Sequence, residues 1–400
     1  MAERRKRLET IAIHAGTRLE GSRSVPVVSP VHVSAVSYFD SAEELDRSLD
    51  GQDFVYSRIN AQSAWLLEQA VAALEGAEDC AAYASGMAAL KAVLDAQEFK
   101  SGDRAVMTSD GYGATRLLYK TELAARGVEL VAIPLCAAEA PGRIRELRPR
   151  FVLAESVTNP LLSVADVPAL AEACRDVGAS LAVDATFPSP ILQRPLALGA
   201  DYSIHSTTKW INGHSDATGG VVSGNRARLA ALKKARISTG AILGPFEAWL
   251  TLRGVRTLPV RMRAHSHNAM RIAERLADSD LLERVYYPGL PGDPNHAVAR
   301  RMLEGGFGGM IAFEIRGADR SRCFRFLEVV RLAKPAPSLG DVTTLVMHAA
   351  SASARRMTPD ERAAAGIREN LIRVSVGLED PDDIADDLLE AVEKAMGARP

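Results

Sequence analysis

Hydrophobic and polar positions between about residues 60 and 225 change their period several times along the chain. Leu67, Ala70, Val71 and Leu74 recur at the spacing of one helix face. Further helices are predicted over 113–125 and 167–177. Short apolar segments predict strands over 104–108, 129–135, 151–154, 180–183 and 201–204. This alternation predicts an α/β fold in which helices cover both faces of a mostly parallel sheet.

The pattern changes after about residue 256. Segments 310–315 and 371–376 predict strands between helices, and Asp380 followed by Pro381 predicts the start of a final helix. Residues 1–60 are punctuated by proline and glycine and show little helical period. We therefore expect an extended arm over 1–60, a main domain over 61–255 and a smaller α+β domain over 256–400.

Composition narrows the class of protein. The 400 residues include 48 basic and 50 acidic side chains, a net charge of −2, which gives no reason to expect a nucleic-acid or membrane partner. The four cysteines have neither disulfide-framework nor metal-ligand spacing, and the histidines do not suggest a metal site either. No apolar run is long enough to span a bilayer. A cytoplasmic protein without a metal is expected.

The segment around Lys209 carries the clearest chemical signal. Ser206 and Thr208 precede this lysine, and a glycine-containing turn follows it. A lysine that forms a Schiff base must be held still and partly desolvated, and nearby hydroxyls suit the phosphate of a cofactor bound to its amine. An ordinary surface lysine is the alternative interpretation.

Other candidate residues stand where predicted strands end or helices begin. Gly86 and Met87 open an apolar helix, whose N-terminus suits a phosphate. Asp184 ends a strand, where it could pair with a pyridine nitrogen or simply cap the next turn. Tyr112 lies between two glycines and could stack on a flat cofactor or be a plain turn residue. Glu155 and His205 also follow apolar strands, without an assigned role.

Many motifs in order resemble the cysteine and methionine metabolism family of pyridoxal-phosphate enzymes. They include Tyr-Ser-Arg at 56–58, Ser-Gly-Met at 85–87, Glu-Ser-Val-Thr-Asn-Pro at 155–160, Ser-Thr-Thr-Lys at 206–209 and the segment 371–380. The similarity runs from residue 10 to residue 380. It implies an aspartate-aminotransferase-like (fold type I) main domain of three layers that binds pyridoxal 5'-phosphate.

The resemblance also implies a role for each candidate. Lys209 carries the cofactor and shuttles protons, Asp184 pairs with its ring nitrogen, and Tyr112 stacks on the ring and serves as an acid or base. The phosphate is held by Gly86, Met87, Ser206 and Thr208 and, from a neighbouring subunit, by Tyr56 and Arg58. The substrate α-carboxylate is bound by Arg373, Ser338 and Asn159. A homotetramer built from dimers that share active sites is therefore expected.

The activity that this resemblance implies is γ-elimination or γ-replacement on a sulfur amino acid. Several positions depart from the family pattern: residues 60–63 replace Gly-Asn-Pro-Thr, Ala185 replaces Asn, and residues 349–354 lack the usual Thr-His. Pro337 and Ala114 differ from cystathionine and methionine γ-lyases respectively, whereas 338–341 matches the latter. We expect a γ-lyase acting on methionine, cystathionine or a close relative. The alternative is a cystathionine γ-synthase or O-acylhomoserine sulfhydrylase.

Two other classes are compatible with these residues. An aminotransferase on the same broad fold would end with a keto acid and an aminated cofactor. A cofactor-binding regulatory protein would keep Lys209 and lack turnover.

Overall fold

A computed structural model describes residues 6–18, 26–50 and 53–397. The predicted N-terminal arm therefore lies partly outside the described residues, since 1–5, 19–25 and 51–52 are not among them. In the described part of the chain, no helix is both long enough and apolar enough to cross a membrane.

The helices and strands alternate along the middle of the chain, as the hydrophobic pattern predicts. The helices are α1 (Leu8–His14), α2 (Ala42–Asp50), α3 (Gln62–Glu75), α4 (Gly86–Asp95), α5 (Gly113–Ala125), α6 (Ala140–Leu147), α7 (Val167–Val177), α8 (Ser189–Leu192), α9 (Arg226–Thr239), α10 (Pro245–Val255), α11 (Leu258–Ala277), α12 (His296–Met302), α13 (Arg320–Val329), α14 (Pro359–Ala364) and α15 (Pro381–Met396). A short 3-10 helix covers Pro195–Leu198. The strands are β1 (Asp79–Tyr83), β2 (Arg104–Thr108), β3 (Glu129–Ile133), β4 (Phe151–Glu155), β5 (Ser180–Asp184), β6 (Tyr202–His205), β7 (Gly220–Gly224), β8 (Leu282–Tyr286), β9 (Met310–Ile315), β10 (Lys334–Pro335), β11 (Leu345–His348) and β12 (Leu371–Ser375).

The backbone forms two compact units, each made from two stretches of chain. The first unit contains Met1–Gln97 and Asp201–Pro259, and the second contains Glu98–Ala200 and Val260–Pro400. The division into 1–60, 61–255 and 256–400 stays a prediction.

In the first unit, β7 pairs antiparallel with β1 on one side and with β6 on the other. The register places Gly220 beside Tyr83, and Val221 beside His205. The loop between β6 and β7 covers residues 206–219 and contains Lys209. The loop therefore leaves the end of β6 and returns at the start of β7. There it lies beside the end of β1 and the residues that precede α4.

In the second unit, β5, β4, β2 and β3 pair in that order, and every pair is parallel. This confirms the predicted parallel sheet for these strands, and their bounds agree with the predicted segments to within two residues. Glu155 and Asp184 are register partners at the carboxyl ends of β4 and β5. Ligands bind at that edge in sheets of this kind.

The second unit also contains a sheet with the strand order β10-β11-β12-β9-β8. β12 pairs antiparallel with β11 and with β9, so that Arg373 lies beside Met347 on one neighbour and Ala312 on the other. The predicted final helix is confirmed as α15, whose first turn is capped by the Asp380 side chain. A buried cluster that includes Phe313, Phe326 and Leu388 forms part of the core of this unit.

One buried ion pair, between Glu68 and Arg236, connects three elements of the first unit. Glu68 on α3 accepts a hydrogen bond from the backbone N–H of Ala82 on β1 at 2.8 Å. The same carboxylate oxygen accepts from Arg236 Nη1 of α9 at 2.5 Å, and this nitrogen also donates to the Ala82 carbonyl at 2.7 Å. Both side chains are almost fully buried. Removal of the cation would leave a buried carboxylate that has lost its main partner.

We expect Arg236→Ala to lower the free energy of unfolding by about 3 kcal/mol, because breaking the buried pair leaves the Glu68 carboxylate, among the described residues, with only the longer ionic contact to Lys233 Nζ, at 3.8 Å. Urea unfolding followed by circular dichroism measures this change. Arg325→Ala is the matched control, because Arg325 and Glu328 form an exposed pair, whose loss should cost under about 1 kcal/mol. Equal unfolding midpoints for the two variants would contradict the structural role of the Glu68–Arg236 pair.

Candidate active site

The loop that carries Lys209 is fixed on both sides of the lysine. The Lys209 N–H donates to the Ser206 carbonyl at 3.3 Å, and its carbonyl accepts from the Gly213 N–H at 2.8 Å. The next two residues, Trp210 and Ile211, are buried. The Lys209 side chain is half-buried. The structure thus gives this amine the fixed backbone and partial desolvation that Schiff-base chemistry requires.

The N-terminus of α4 lies against Ser206. The Ser85 hydroxyl caps this helix by accepting from the Ala88 N–H at 3.1 Å. A methyl group added to Gly86 would lie 2.8 Å from Cβ of Ser206, so glycine is needed for this close approach. The first N–H groups of a helix have no acceptor within it and favour an anion. Here they adjoin a serine hydroxyl, an arrangement that suits a phosphate.

Gly220 allows the same approach from the strand side. A methyl group on Gly220 would lie 2.4 Å from the Ser85 carbonyl oxygen and 2.7 Å from the Gly86 nitrogen. The Thr208 hydroxyl donates to the Gly219 carbonyl at 3.3 Å and accepts from the Gly219 N–H at 3.0 Å. Thr208 therefore ties the two ends of the loop together, and its contact with a phosphate stays a prediction. We refer to the residues of this region as the lysine group: Ser85, Gly86, Met87, Ser206, Thr208 and Lys209.

Tyr56 and Arg58 lie close to each other in the first unit. The Arg58 guanidinium lies 5.3 Å from the centre of the Tyr56 ring, and its Nη1 donates to the Ile237 carbonyl at 2.8 Å. Both side chains are exposed. The altered segment that follows begins with a turn in which the Asn60 N–H donates to the Tyr56 carbonyl at 3.1 Å. The predicted reach of Tyr56 and Arg58 into a neighbouring subunit stays a prediction.

In the second unit, the structure brings Arg373, Asn159 and Ser338 together. Arg373 Nη1 donates to Asn159 Oδ1 at 3.0 Å, and Nη2 donates to the Ser338 backbone carbonyl at 2.8 Å. Ser338 thus contacts the arginine through its backbone. Arg373 as a whole residue is only 3% exposed, and its Nε has no hydrogen-bond partner within the described structure. Burial lowers the pKa of Arg373 to about 10, so it remains a cation at neutral pH.

The two acceptors, Asn159 Oδ1 and the Ser338 carbonyl, are neutral, so they do not compensate the positive charge of Arg373. The described residues provide no carboxylate within ion-pair distance of this guanidinium. A buried cation is stabilised by a paired anion, and a planar guanidinium suits the two oxygens of a carboxylate. The geometry therefore fits the carboxylate of a ligand.

Tyr112, Glu155 and Asp184 also lie in the second unit. Tyr112 precedes the first residue of α5, and its backbone N–H donates to Glu155 Oε1 at 2.6 Å. Asp184 is half-buried, and its Oδ1 accepts from the Thr186 N–H at 2.9 Å. The residues of this region are called the arginine group: Tyr112, Glu155, Asn159, Asp184, Ser338 and Arg373.

Two buried side chains have no role in the sequence analysis: His205 in the first unit and Glu155 in the second. The sequence placed Glu155 only at the end of an apolar strand, and no local signal indicated its contact with Tyr112, which lies 43 positions away. His205 contacts Glu75 Oε1 at 2.5 Å and the Ser203 hydroxyl at 3.2 Å, all buried on the first unit's sheet and α3. Within the described ranges, no three His, Cys, Asp or Glu side chains are arranged to hold a metal ion.

Comparison with known proteins identifies the family. The chain belongs to the Cys/Met metabolism PLP-dependent enzyme family, whose model matches residues 9–393. It is similar to the O-succinylhomoserine sulfhydrylase of Pseudomonas aeruginosa, at 38% identity over 382 residues that cover 95% of this chain and 94% of the relative. An L-methionine gamma-lyase of Fusobacterium nucleatum subsp. polymorphum is 37% identical over 397 residues, which cover 97% of this chain and 98% of the relative.

The fold agrees with a solved structure of the family. Cystathionine gamma synthase from Xanthomonas oryzae pv. oryzae, in complex with cystathionine, superposes with a TM-score of 0.92 at 36% identity. The match covers 98% of this chain and 100% of that structure. The α/β fold of type I and the pyridoxal-phosphate dependence of the family therefore apply to this chain.

The residues present fit pyridoxal phosphate. The lysine group combines a half-buried amine with a helix N-terminus that two glycines allow to approach a serine hydroxyl. The arginine group provides a buried cation without an acidic partner among the described residues. The former suits the attachment point and phosphate of the cofactor, and the latter suits an amino-acid substrate.

Gly220→Ala should weaken pyridoxal-phosphate binding by about tenfold to a hundredfold, because a methyl group forces the start of α4 away and small displacements are costly in a preorganised site. Titration of the cofactor-free chain, followed by the absorbance of the bound cofactor, measures the dissociation constant. Gly142→Ala is the control, since its added methyl group meets nothing within 4 Å. Unchanged affinity in Gly220→Ala would show that the close approach is not needed.

Proposed function

We propose that this chain is a γ-lyase that cleaves the Cγ–S bond of L-methionine, L-cystathionine or a close relative. The products are 2-oxobutanoate, ammonia and a thiol. The observation that carries the proposal is the buried, acid-free guanidinium of Arg373, which suits an amino-acid carboxylate in a family that uses pyridoxal phosphate. Similarity to an L-methionine gamma-lyase along nearly the whole chain supports the choice of elimination.

The cofactor supplies an electron sink that stabilises negative charge at the substrate Cα. The phosphate of the cofactor would be held by Gly86, Met87, Ser206 and Thr208. Lys209 would hold the cofactor itself through a covalent bond. Once free, the Lys209 amine would take the proton from the substrate Cα, and after giving up that proton it would act as the base at Cβ. A lysine confined by its backbone contacts and buried neighbours is suited to both proton transfers.

Residues of the arginine group bind and orient the substrate in this proposal. Arg373 binds the α-carboxylate, while Asn159 and the Ser338 carbonyl fix the plane of its guanidinium. The Asp184 carboxylate would pair with the ring nitrogen of the cofactor and keep it protonated. The Tyr112 side chain would stack on the cofactor, and its hydroxyl would give a proton to the departing sulfur.

In this proposal, loop residues select the substrate. The altered segment 349–354 lies close to the start of α5, since a methyl group on Gly113 would be 3.1 Å from the Ser353 carbonyl. Ala350 and Ala354 of this segment are buried. Asp341 is buried too, and its carboxylate accepts from the Thr343 N–H at 2.8 Å. These contacts account for Asp341 structurally, so substrate choice rests more on Ala114, Pro337 and 349–354.

A γ-replacement reaction is the second candidate. It is supported by the similarity to an O-succinylhomoserine sulfhydrylase and to a cystathionine gamma synthase, each over nearly the whole chain. In that reaction an added thiol captures the carbon skeleton after the γ-substituent leaves. The residues that bind the cofactor and the carboxylate would be the same in both reactions.

The assembly that we propose is a cytoplasmic homotetramer of dimers. Tyr56 and Arg58 are exposed in a single chain, which leaves them available to a neighbouring subunit's phosphate. Their mutual contact at 5.3 Å would keep the pair oriented for that purpose.

A product screen distinguishes elimination from replacement. We expect the enzyme to release 2-oxobutanoate and ammonia in equal amounts from L-methionine or L-cystathionine without added thiol, because no second substrate is required. Initial rates are measured with L-methionine and L-cystathionine and are compared with those for O-succinylhomoserine and O-acetylhomoserine. Every substrate is tested with and without cysteine or sulfide. Replacement gives a thioether with cysteine and a thiol with sulfide. Formation of either product at a kcat/KM at least about tenfold above that of elimination, a difference of about 1.4 kcal/mol in transition-state stabilisation, would reject the lyase in favour of replacement.

Lys209→Ala should abolish covalent attachment of the cofactor and lower kcat by a factor of about a thousand or more, because the lysine both holds the cofactor and moves protons. Borohydride reduction followed by mass spectrometry locates the attachment site on a peptide. Lys91→Ala is the control, because Lys91 forms an i,i+4 pair with Asp95 on α4, outside the lysine group. Attachment at another lysine in the wild-type chain would refute the assignment.

A further inference from the structure

The carboxyl group of Glu155 joins two segments that carry site residues. Glu155 is the last residue of β4 and is 9% exposed. Its Oε1 accepts the backbone N–H of Tyr112 at 2.6 Å. The backbone N–H of Asn159 also donates to this carboxyl group. One side chain therefore holds both the loop before α5 and the turn after β4.

The Tyr112 loop is shaped to meet this carboxyl group. A methyl group on Gly111 would lie 2.6 Å from Glu155 Oε1 and 2.5 Å from Cγ2 of Thr108. Both distances are far below normal carbon contacts, so a side chain at residue 111 would push the loop away from Glu155. Glycine at this position is explained by the close approach rather than by its backbone conformation.

Glu155 is also linked to Arg373 through Asn159. Asn159 receives the Arg373 Nη1 hydrogen bond on its side chain while its own backbone N–H is held by Glu155. A change at Glu155 should therefore shift the acceptor that orients the guanidinium. No second hydrogen bond from the Asn159 side chain is needed for this coupling.

The electrostatic setting of Glu155 is unusual for a carboxyl group. Burial and the neighbouring charge of Asp184 hold the pKa of Glu155 well above its ordinary value, with Asp110 adding to the effect. The hydrogen bonds from Tyr112 and Asn159 oppose this shift without reversing it. Uptake of a proton by Glu155 would remove a second negative charge from beside Asp184, its register partner on β5.

We propose that Glu155 is a positioning residue that fixes Tyr112 and Asn159, and through Asn159 the guanidinium of Arg373. It acts on the substrate only through these neighbours, so its effect on turnover rests on the proposed function. Its effect on the backbone of the two segments does not.

Hydrogen–deuterium exchange of the full chain with its cofactor bound tests this role directly. Glu155→Ala should speed exchange by roughly tenfold in peptides covering 109–116 and 156–162, because each amide loses its acceptor. Glu314→Ala is the control: Glu314 is a buried carboxylate of the same unit that accepts from the Tyr286 hydroxyl at 2.6 Å, outside the arginine group. Its loss should leave exchange in both peptides unchanged.

Glu155→Gln provides the second variant, because it keeps the volume and one acceptor oxygen. It should speed exchange in one of the two peptides and retain more activity than Glu155→Ala. In Glu155→Ala, kcat/KM for the amino-acid substrate should fall about a hundredfold, with much of the loss in KM, as expected for a displaced carboxylate site. Thermal unfolding shows which variants are folded.

The exchange result separates this proposal from the proposed function. Unchanged exchange in both peptides of a folded Glu155→Ala chain would overturn the positioning role, whatever the substrate proves to be. If Glu155→Ala does not fold, unchanged exchange in both peptides of Glu155→Gln would have the same meaning. Faster exchange together with no lyase activity in the wild-type chain would reject the proposed reaction and keep the positioning role.

Discussion

The charge of Arg373, buried on the central strand of a sheet, is the constraint on which the proposed substrate site depends. A guanidinium removed from water without an anion is costly, and the two neutral acceptors around it offset only part of that cost. The lowering of its pKa to about 10 reflects the same cost. The β-sheet that pairs on both sides of β12 holds the side chain in place despite it. An incoming carboxylate would supply the missing charge, which gives the site its preference for an anionic group.

Positions that carry the fold were predictable because their signals are local. The periods of hydrophobic residues gave the parallel strands β2 to β5, and α5 and α7 begin and end where the pattern predicts. The start of α15 followed from Asp380 and Pro381, whose capping chemistry depends on neighbours in sequence. The grouping of Arg373 with Asn159 and Ser338 came from family resemblance, since more than 200 positions separate Asn159 from Arg373.

Contacts that depend on side chains meeting in space were not predictable from spacing. Thr208 was expected to hold a phosphate, and in this chain its hydroxyl also closes the loop onto Gly219. The link from Glu155 to Tyr112 spans 43 positions, and nothing in the local sequence specifies it. Glycine at 111 and at 220 was visible in the sequence, but its reason is a neighbouring chain segment at under 3 Å. Such a reason can be read only after the strands have been placed.

Cofactor chemistry and substrate choice depend on different kinds of structure in this chain. Asp184 and Glu155 end paired strands, and Lys209 follows one, so their backbones are fixed by sheet hydrogen bonds or by turns with buried neighbours. The segment 349–354 is instead a turn of small residues that follows β11. A substitution there alters a turn in which Ala349, Ala350 and Ala354 are buried, and this turn lies outside the paired strands. Related chains can therefore keep one set of cofactor residues while their substrates differ, which agrees with relatives named as lyases, synthases and sulfhydrylases.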